Sequence, residues 1–172
     1  MSSGRGQAVE EVKIEMGYIP GAIGRVAELH GKYYNVNWTF GLFFEAKVAI
    51  ELSEFLKRYD TNRDGFWTVR VDGRVEGAIA IDGIHADRDG AHLRWFIMSD
   101  RLRGQGAGSQ LINHAILFCR QKHYKKINLW TFEGLDAARH LYEKSGFRLV
   151  KQQRGEQWGT EVNEQQYELL LE

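Results

Sequence analysis

The sequence predicts a mixed α/β fold in one domain, with elements in the order β-α-α-β-β-β-α-β-α-β-β. Three observations lead there. Val12, Ile14, Met16 and Tyr18 alternate with other residues at the period of a half-buried strand. Asp72-Gly73 separates two apolar runs, which is a hairpin signal. An apolar run over 92–98 passes through Gly104, Gly106 and Gly108 into a stretch of helical periodicity, so a strand, a glycine loop and a helix follow in that order. A chain of 172 residues suits a single core. Residues 9–172 are assigned to the domain and 1–8 to a flexible N-terminal segment.

The first strand covers 12–19 and ends at Pro20-Gly21. A helix over 22–34 follows from Ile23, Val26, Ala27, His30 and the tyrosines at its end. Residues 35–39 interrupt the pattern, and Phe44, Val48, Leu52, Phe55, Leu56 and Tyr59 resume it in a second helix. Asp60-Thr61-Asn62-Arg63-Asp64-Gly65 matches the opening of a calcium loop, but the closing ligand would fall on Val71, so a tight turn is expected instead. Strands over 66–71 and 74–84 form the hairpin, and a polar loop leads to the strand over 92–98. The helix over 108–123 has Leu111, Ile112, Ala115, Ile116 and Cys119 on its apolar side. A strand over 126–132 and a helix over 135–144 come next, the helix ending at Ser145-Gly146. Two last strands, 147–150 and 166–171, flank a polar excursion over 151–163.

Composition excludes several functions. With 23 basic and 23 acidic residues there is no net basic field for nucleic acid and no polybasic segment for a membrane. The one cysteine, Cys119, cannot form an internal disulfide, which fits a reducing compartment. Residues 1–7 lack the apolar core of a signal peptide, and no later run is long enough to span a bilayer, so a cytoplasmic protein is expected. The six histidines do not cluster with Cys or carboxylates at metal-ligand spacing, and no metal is expected.

Chemistry concentrates in the glycine loop. Gly104, Gly106 and Gly108 let the chain turn tightly and bring N–H groups close to a ligand at the positive end of a helix dipole, a geometry suited to phosphate or pyrophosphate. A Walker loop is excluded because no Lys lies between Arg101 and Lys122. No frame from Gly104 supplies the third Gly of a dinucleotide fingerprint. A turn that merely reverses a strand into a helix is the remaining alternative.

Arg103-x-x-Gly106-x-Gly108 resembles the acyl-CoA pyrophosphate loop of the GNAT N-acetyltransferases, and Leu141-Tyr142-Glu143-Lys144-Ser145-Gly146-Phe147 resembles that family's second motif, in order and properly spaced. Leu129-Trp130-Thr131 followed by Ala137-Ala138-Arg139-x-Leu141-Tyr142 is also similar to the acetyltransferase half of proteins that fuse a MarR-type DNA-binding module to this domain, although no such module is present. The resemblance implies an acyl-CoA N-acyltransferase fold: a mostly antiparallel, twisted central sheet flanked by helices and splayed open after the fourth strand. It implies acetyl-CoA as cosubstrate and a primary amine, of a small molecule or a protein, as acceptor, joined by direct attack in a ternary complex. Homodimerisation is left open. A non-catalytic acyl-CoA sensor or interaction domain is the alternative.

By the same resemblance, Arg103, Gly104, Gln105, Gly106, Ala107, Gly108 and Ser109 hold the pyrophosphate. The main chain of Phe96, Ile97 and Met98 meets the acetyl and pantetheine portions, and Tyr142 protonates the departing thiolate. A phenol of pKa about 10 is protonated at neutral pH and can serve as that acid. The Asn commonly found seven residues before this Tyr is Leu135 here, so that segment lacks the side-chain amide that meets the pantetheine arm in the family. Glu133 is the first candidate for general base, with Asp82 and His92 behind it. Tyr33, Tyr34, Trp38, Phe40 and Phe43 would form the acceptor wall or else pack on the sheet.

Overall fold

The computed structural model describes residues 11–172; the segment expected to be flexible, 1–8, lies outside them. Its elements are β1 (Val12–Met16), α1 (Ala22–Trp38), α2 (Leu42–Lys57), β2 (Gly65–Val71), β3 (Arg74–Asp82), β4 (Ala91–Met98), a 3-10 turn (Asp100–Leu102), α3 (Ala107–Gln121), β5 (Lys126–Phe132), α4 (Asp136–Lys144), β6 (Arg148–Gly155) and β7 (Val162–Leu170). One seven-stranded sheet has the order β1-β2-β3-β4-β5-β7-β6. Every neighbouring pair is antiparallel except β4 and β5.

Both faces of the sheet are covered, and β2 and β3 are buried almost throughout for that reason. In β3, Ile79 and Ile81 enter the core beneath α3, while Ala78 and Ala80 on the other face let α1 and α2 approach. The β2–β3 turn is the expected one: Asp72 and Gly73 have φ of 50° and 84°, the left-handed pair of a tight hairpin. Leu111 and Ile112 of α3 are fully buried, each contributing about 1.5–3 kcal/mol. Core packing therefore fixes the start of α3, which has no side-chain cap.

Two elements differ from expectation. Helix α1 continues through the polar stretch 35–38, because Trp38 falls one turn beyond Tyr34 and both rings pack on Phe132. It stops at Thr39, whose φ is 60°. The polar excursion over 151–163 is mostly strand. β6 forms the edge of the sheet and is exposed at every position but its last, so no apolar alternation marks it. The buried carboxylate of Glu164 organises the turn by accepting from the Gln157 N–H at 3.0 Å.

The calcium-like loop is a structural anchor. The Asp64 carboxylate is fully buried and accepts from the N–H of Gly83 at 2.9 Å, the N–H of Asp60 at 3.1 Å and the Arg63 guanidinium at 3.0 Å. Its oxygens point inward and join the loop to the end of β3. Among the described residues no helix is long and apolar enough to cross a membrane, and no group of three His, Cys, Asp or Glu could hold a metal ion.

Candidate active site

The site begins where the sheet comes apart. β4 and β5 pair only at Ala91 with Ile127 and His92 with Asn128, and beyond that point they diverge. One extra residue in β4 sharpens the parting: Ala78 pairs with Ile97 but Ala80 with Arg94, and Trp95 sits at φ 50°. Such a bulge bends the strand and increases its twist. The β5-side edge of Phe96, Ile97 and Met98 is consequently left without a strand partner. The Ile97 side chain is buried and the Phe96 ring lines the gap, so it is main chain that residues 97 and 98 can offer a ligand.

Past β4, Leu102 and Ala107 are buried and hold an exposed loop, Arg103 to Gly106, between them. Gly104 and Gly106 take φ of 75° and 76°, and a Cβ on either would meet no protein atom within 4 Å. The space above them is open to a ligand. The N–H groups opening α3 lack a side-chain cap, so Gly106, Ala107, Gly108 and Ser109 form a cluster of donors at the positive end of the helix. Gly108 has a second role, because a Cβ there would come within 3.2 Å of Leu141 and 3.4 Å of Phe96. Arg103 reaches back, its Nε 3.1 Å from Asp100 and its guanidinium 5.2 Å from the centre of the Tyr33 ring. Gln105 donates from its side chain to the Arg101 carbonyl at 3.0 Å. These features fit a pyrophosphate.

Tyr142 comes from the last turn of α4, its ring 6.0 Å from Phe96, 5.9 Å from Phe147 and 6.3 Å from Tyr167. Burial pushes its phenol pKa further up, and Tyr34 adds in the same direction. The group is a firmly protonated donor. Leu135, in the N-cap position of α4, lines this opening with a side chain that carries no polar atom.

A cavity of about 300 Å³ occupies the parting between β4 and β5, walled by α1 and α2. His92 lies at its base and also lines a second cavity on the far side of the same junction. Burial lowers the His92 ring to a pKa of about 4, with Arg94 acting in the same sense against Asp82 and Glu51. The imidazole is therefore neutral at physiological pH and able to accept a proton. Beside it, Glu51 accepts from Arg94 at 2.5 Å and from Lys47 at 2.6 Å, and Arg94 stacks 4.1 Å from the centre of the Trp95 ring.

The structure does not bring Glu133 to this cavity. Its carboxylate is exposed and accepts from Asn163 at 3.0 Å. The loop turns outward at Gly134, whose φ is 113° and where the Trp38 ring lies 2.1 Å from the position of a Cβ. Asp82 is committed elsewhere, receiving Arg58 at 3.1 and 2.6 Å and the Ile84 N–H at 3.2 Å. Burial opposes its ionisation, but these bonds prevail and hold its carboxyl below the usual range, leaving a weak base. Of the five aromatic residues expected in the acceptor wall, Tyr34 lines the cavity; Phe40 is core, Trp38 packs on Phe132, Tyr33 sits under Arg103 and Phe43 is largely exposed.

Lys47, Glu51, Arg94 and Trp158 line the cavity and were not singled out by motif or spacing. The available signals were a charge inside an apolar strand, Arg94, and a Trp isolated in a polar stretch, Trp158.

Comparison with known proteins agrees with this geometry. The sequence model of the acetyltransferase (GNAT) family matches residues 25–147. The chain is 28% identical to an uncharacterised N-acetyltransferase of Methanocaldococcus jannaschii over 90 residues, 50% of this chain and 40% of that protein. It is 31% identical to the probable N-acetyltransferase camello of Xenopus laevis over 83 residues, 48% of this chain and 38% of that protein. The matches thus span about two fifths of these relatives' length. A crystal structure of an acetyltransferase of the GNAT family from Staphylococcus aureus superposes with a TM-score of 0.76 at 19% identity, covering 94% of this chain and all of the other, a likeness of fold.

Proposed function

The chain belongs to the acetyltransferase (GNAT) family, and from that premise we propose that it transfers the acetyl group of acetyl-CoA to a primary amine by direct attack in a ternary complex. The observation that carries this reading is the alignment of three features along one opening. The uncapped start of α3, the unpaired edge of β4 and the Tyr142 ring follow one another from the glycine loop to the cavity.

Acetyl-CoA supplies an activated acyl group whose thiol leaves once a proton is available. In this reading the N–H groups of Gly106, Ala107, Gly108 and Ser109, with the Arg103 side chain, hold the pyrophosphate. Main-chain groups of Phe96, Ile97 and Met98 orient the acyl end. The buried phenol of Tyr142 delivers the proton to the leaving sulfur. His92 takes the proton that the amine loses. An amine nitrogen becomes far more acidic as it bonds to the acyl carbon, so a neutral imidazole of low pKa is still a competent acceptor at that moment. Glu133 has no part in this scheme.

A binding-only sensor is the weaker reading, since it would require neither a phenol nor a neutral imidazole facing the same opening. No relative compared above carries a MarR-type module by name, and the similarity to such fusions plays no role here. An acetyl-CoA-dependent activity fits a cytoplasmic location.

Amine-dependent release of CoA thiol across a panel of amino acids, polyamines, aromatic amines and lysine peptides tests the reading. Amine-dependent thiol release with wild-type protein, abolished by the Gly106→Val variant, is the expected result. Tight acetyl-CoA binding with no amine-dependent release from any class would favour the sensor.

A further inference from the structure

Resting on the acetyltransferase reading, we infer that the acceptor is an amino acid with an apolar or aromatic body, whose carboxylate is received by Arg94 and Lys47. The argument starts from charge. Among the residues lining the cavity, Lys47 and Arg94 are cations and Glu51 is the single acid. One carboxylate shared by two cations leaves a net positive charge facing the acceptor, because burial keeps His30 and His92 neutral.

Unused donors point the same way. Arg94 spends only Nη2 on Glu51, and among the described residues its Nε and Nη1 donate to no protein atom. Lys47 likewise gives one bond, to the other Glu51 oxygen. The side chains of Lys47 and Arg94 are 28% and 23% exposed, so both charges are partly desolvated and gain from an anionic partner. A guanidinium whose carbon lies 4.1 Å from the centre of the Trp95 ring and which gives one Nη2 hydrogen to Glu51 keeps its second Nη2 hydrogen, beside that of Nε or Nη1, as an edge that can receive a carboxylate in two parallel bonds.

Spacing agrees. His92 and Arg94 are two positions apart on one strand, so their Cα atoms are separated by about 7 Å. The ammonium and carboxylate of one amino acid, with a hydrogen bond of about 3 Å at each end, span a comparable distance. Both residues also line the one cavity, so in this proposal the amine faces His92 while the carboxylate rests on Arg94. Aromatic and aliphatic walls, among them Tyr34, Phe44 and Val48, leave room for an apolar side chain. A cavity of about 300 Å³ lies at the lower end for small-molecule sites, suited to one amino acid. Polyamines would bring further cations against Lys47 and Arg94.

The test uses phenylalanine, leucine and methionine, each beside its carboxamide and its decarboxylated amine. For at least one of the three acids, kcat/KM should exceed that of its amide by about 10-fold or more, the equivalent of one charge-assisted contact. Arg94→Gln should bring that ratio to within about 3-fold by raising KM for the acid, with acetyl-CoA affinity unchanged. Lys47→Gln should reduce the ratio in the same direction and by less, and it guards against misfolding of the first variant. Calorimetry with the N-acetylated acids and their amides, in the presence of CoA, gives a second readout. Amides or amines used as well as the acids, or a preference that survives both substitutions, overturns the inference and leaves the acetyltransferase reading standing. If none of these compounds is acetylated, the inference is overturned, and the transferase reading is decided separately by the wider amine panel.

Discussion

The Tyr142 ring, carried by α4, stands 6.0 Å from the Phe96 ring on β4, in the opening that forms because β4 and β5 pair at only two positions. A phenol is thereby set beside backbone that no strand covers. If Tyr142 is the acid that releases the thiol, removing its hydroxyl should affect turnover and little else. Tyr142→Phe keeps the ring contacts with Phe96, Phe147 and Tyr167 and should preserve the fold and acetyl-CoA affinity. Its kcat should fall by about 100-fold to 10,000-fold, toward the lower end because water can replace the acid in part. Wild-type turnover with chemistry rate-limiting would reduce Tyr142 to a packing residue.

The glycine loop makes a separate prediction, about binding. Gly106 has φ of 76° and open space where a Cβ would stand, so Gly106→Val adds a Cβ that meets no protein atom, yet it strains the backbone and fills the approach to the α3 donors. Acetyl-CoA should raise the Tm of the wild-type protein and leave that of the variant nearly unchanged. An equal ligand-induced shift in both proteins would mean that the pyrophosphate is held elsewhere. Gly108→Ala differs in kind: its methyl would press on Leu141 at 3.2 Å, and the expected cost is in stability.

The fold and the backbone of the glycine loop were legible because they rest on local signals. Glycines at 104 and 106 sit where positive φ is required, Asp72-Gly73 makes the hairpin, and β5 begins and ends where its apolar run does. The cavity between β4 and β5 was not legible, since it is assembled from residues distant in sequence. Glu51 meets Arg94 across 43 positions, and neither has a motif around it. Glu133 was attractive because it follows β5, but its carboxylate accepts from Asn163, 30 positions away on another element. His92 looked like an ordinary strand histidine. It stands where two parallel strands separate, which periodicity does not encode. The part of edge strand β6 beyond residue 150, where the expected strand stops, escaped notice for the opposite reason: it faces solvent on both sides, and an apolar pattern would have been a liability.

Two histidines make stability depend on pH. His30 is buried with Nδ1 2.8 Å from the Val26 carbonyl, and burial outweighs that bond to lower its pKa to about 4, as for His92. The unfolded chain takes up these protons near the ordinary pKa of about 6.5, the native protein only near 4. Stability is therefore complete above pH 6.5 and is lost as pH falls toward 4. His30 alone should account for about 2 kcal/mol by pH 5, and His92, which is partly exposed, for less. Urea midpoints at pH 7.5 and pH 5 measure the loss. His30→Leu should be less sensitive over this interval; an undiminished pH dependence in that variant would count against the assignment.

His92 has a kinetic signature of its own. Because it titrates at about 4, it is neutral through the whole working range, and the rise of kcat/KM with pH should follow deprotonation of the acceptor amine, with no added limb near pH 6.5. His92→Ala should keep that shape and lower the rate by about 100-fold to 10,000-fold. Acetyl-CoA should bind as before, since His92 lies at the far end of β4 from the glycine loop. The space left by the imidazole adjoins the second cavity, so added imidazole should restore part of the activity, whereas it should do nothing for Tyr142→Phe. Rescue confined to His92→Ala would separate loss of a base from loss of packing. A His92→Ala protein with the wild-type rate under conditions where chemistry limits would show that the proton leaves directly to water, and the base role would then fail.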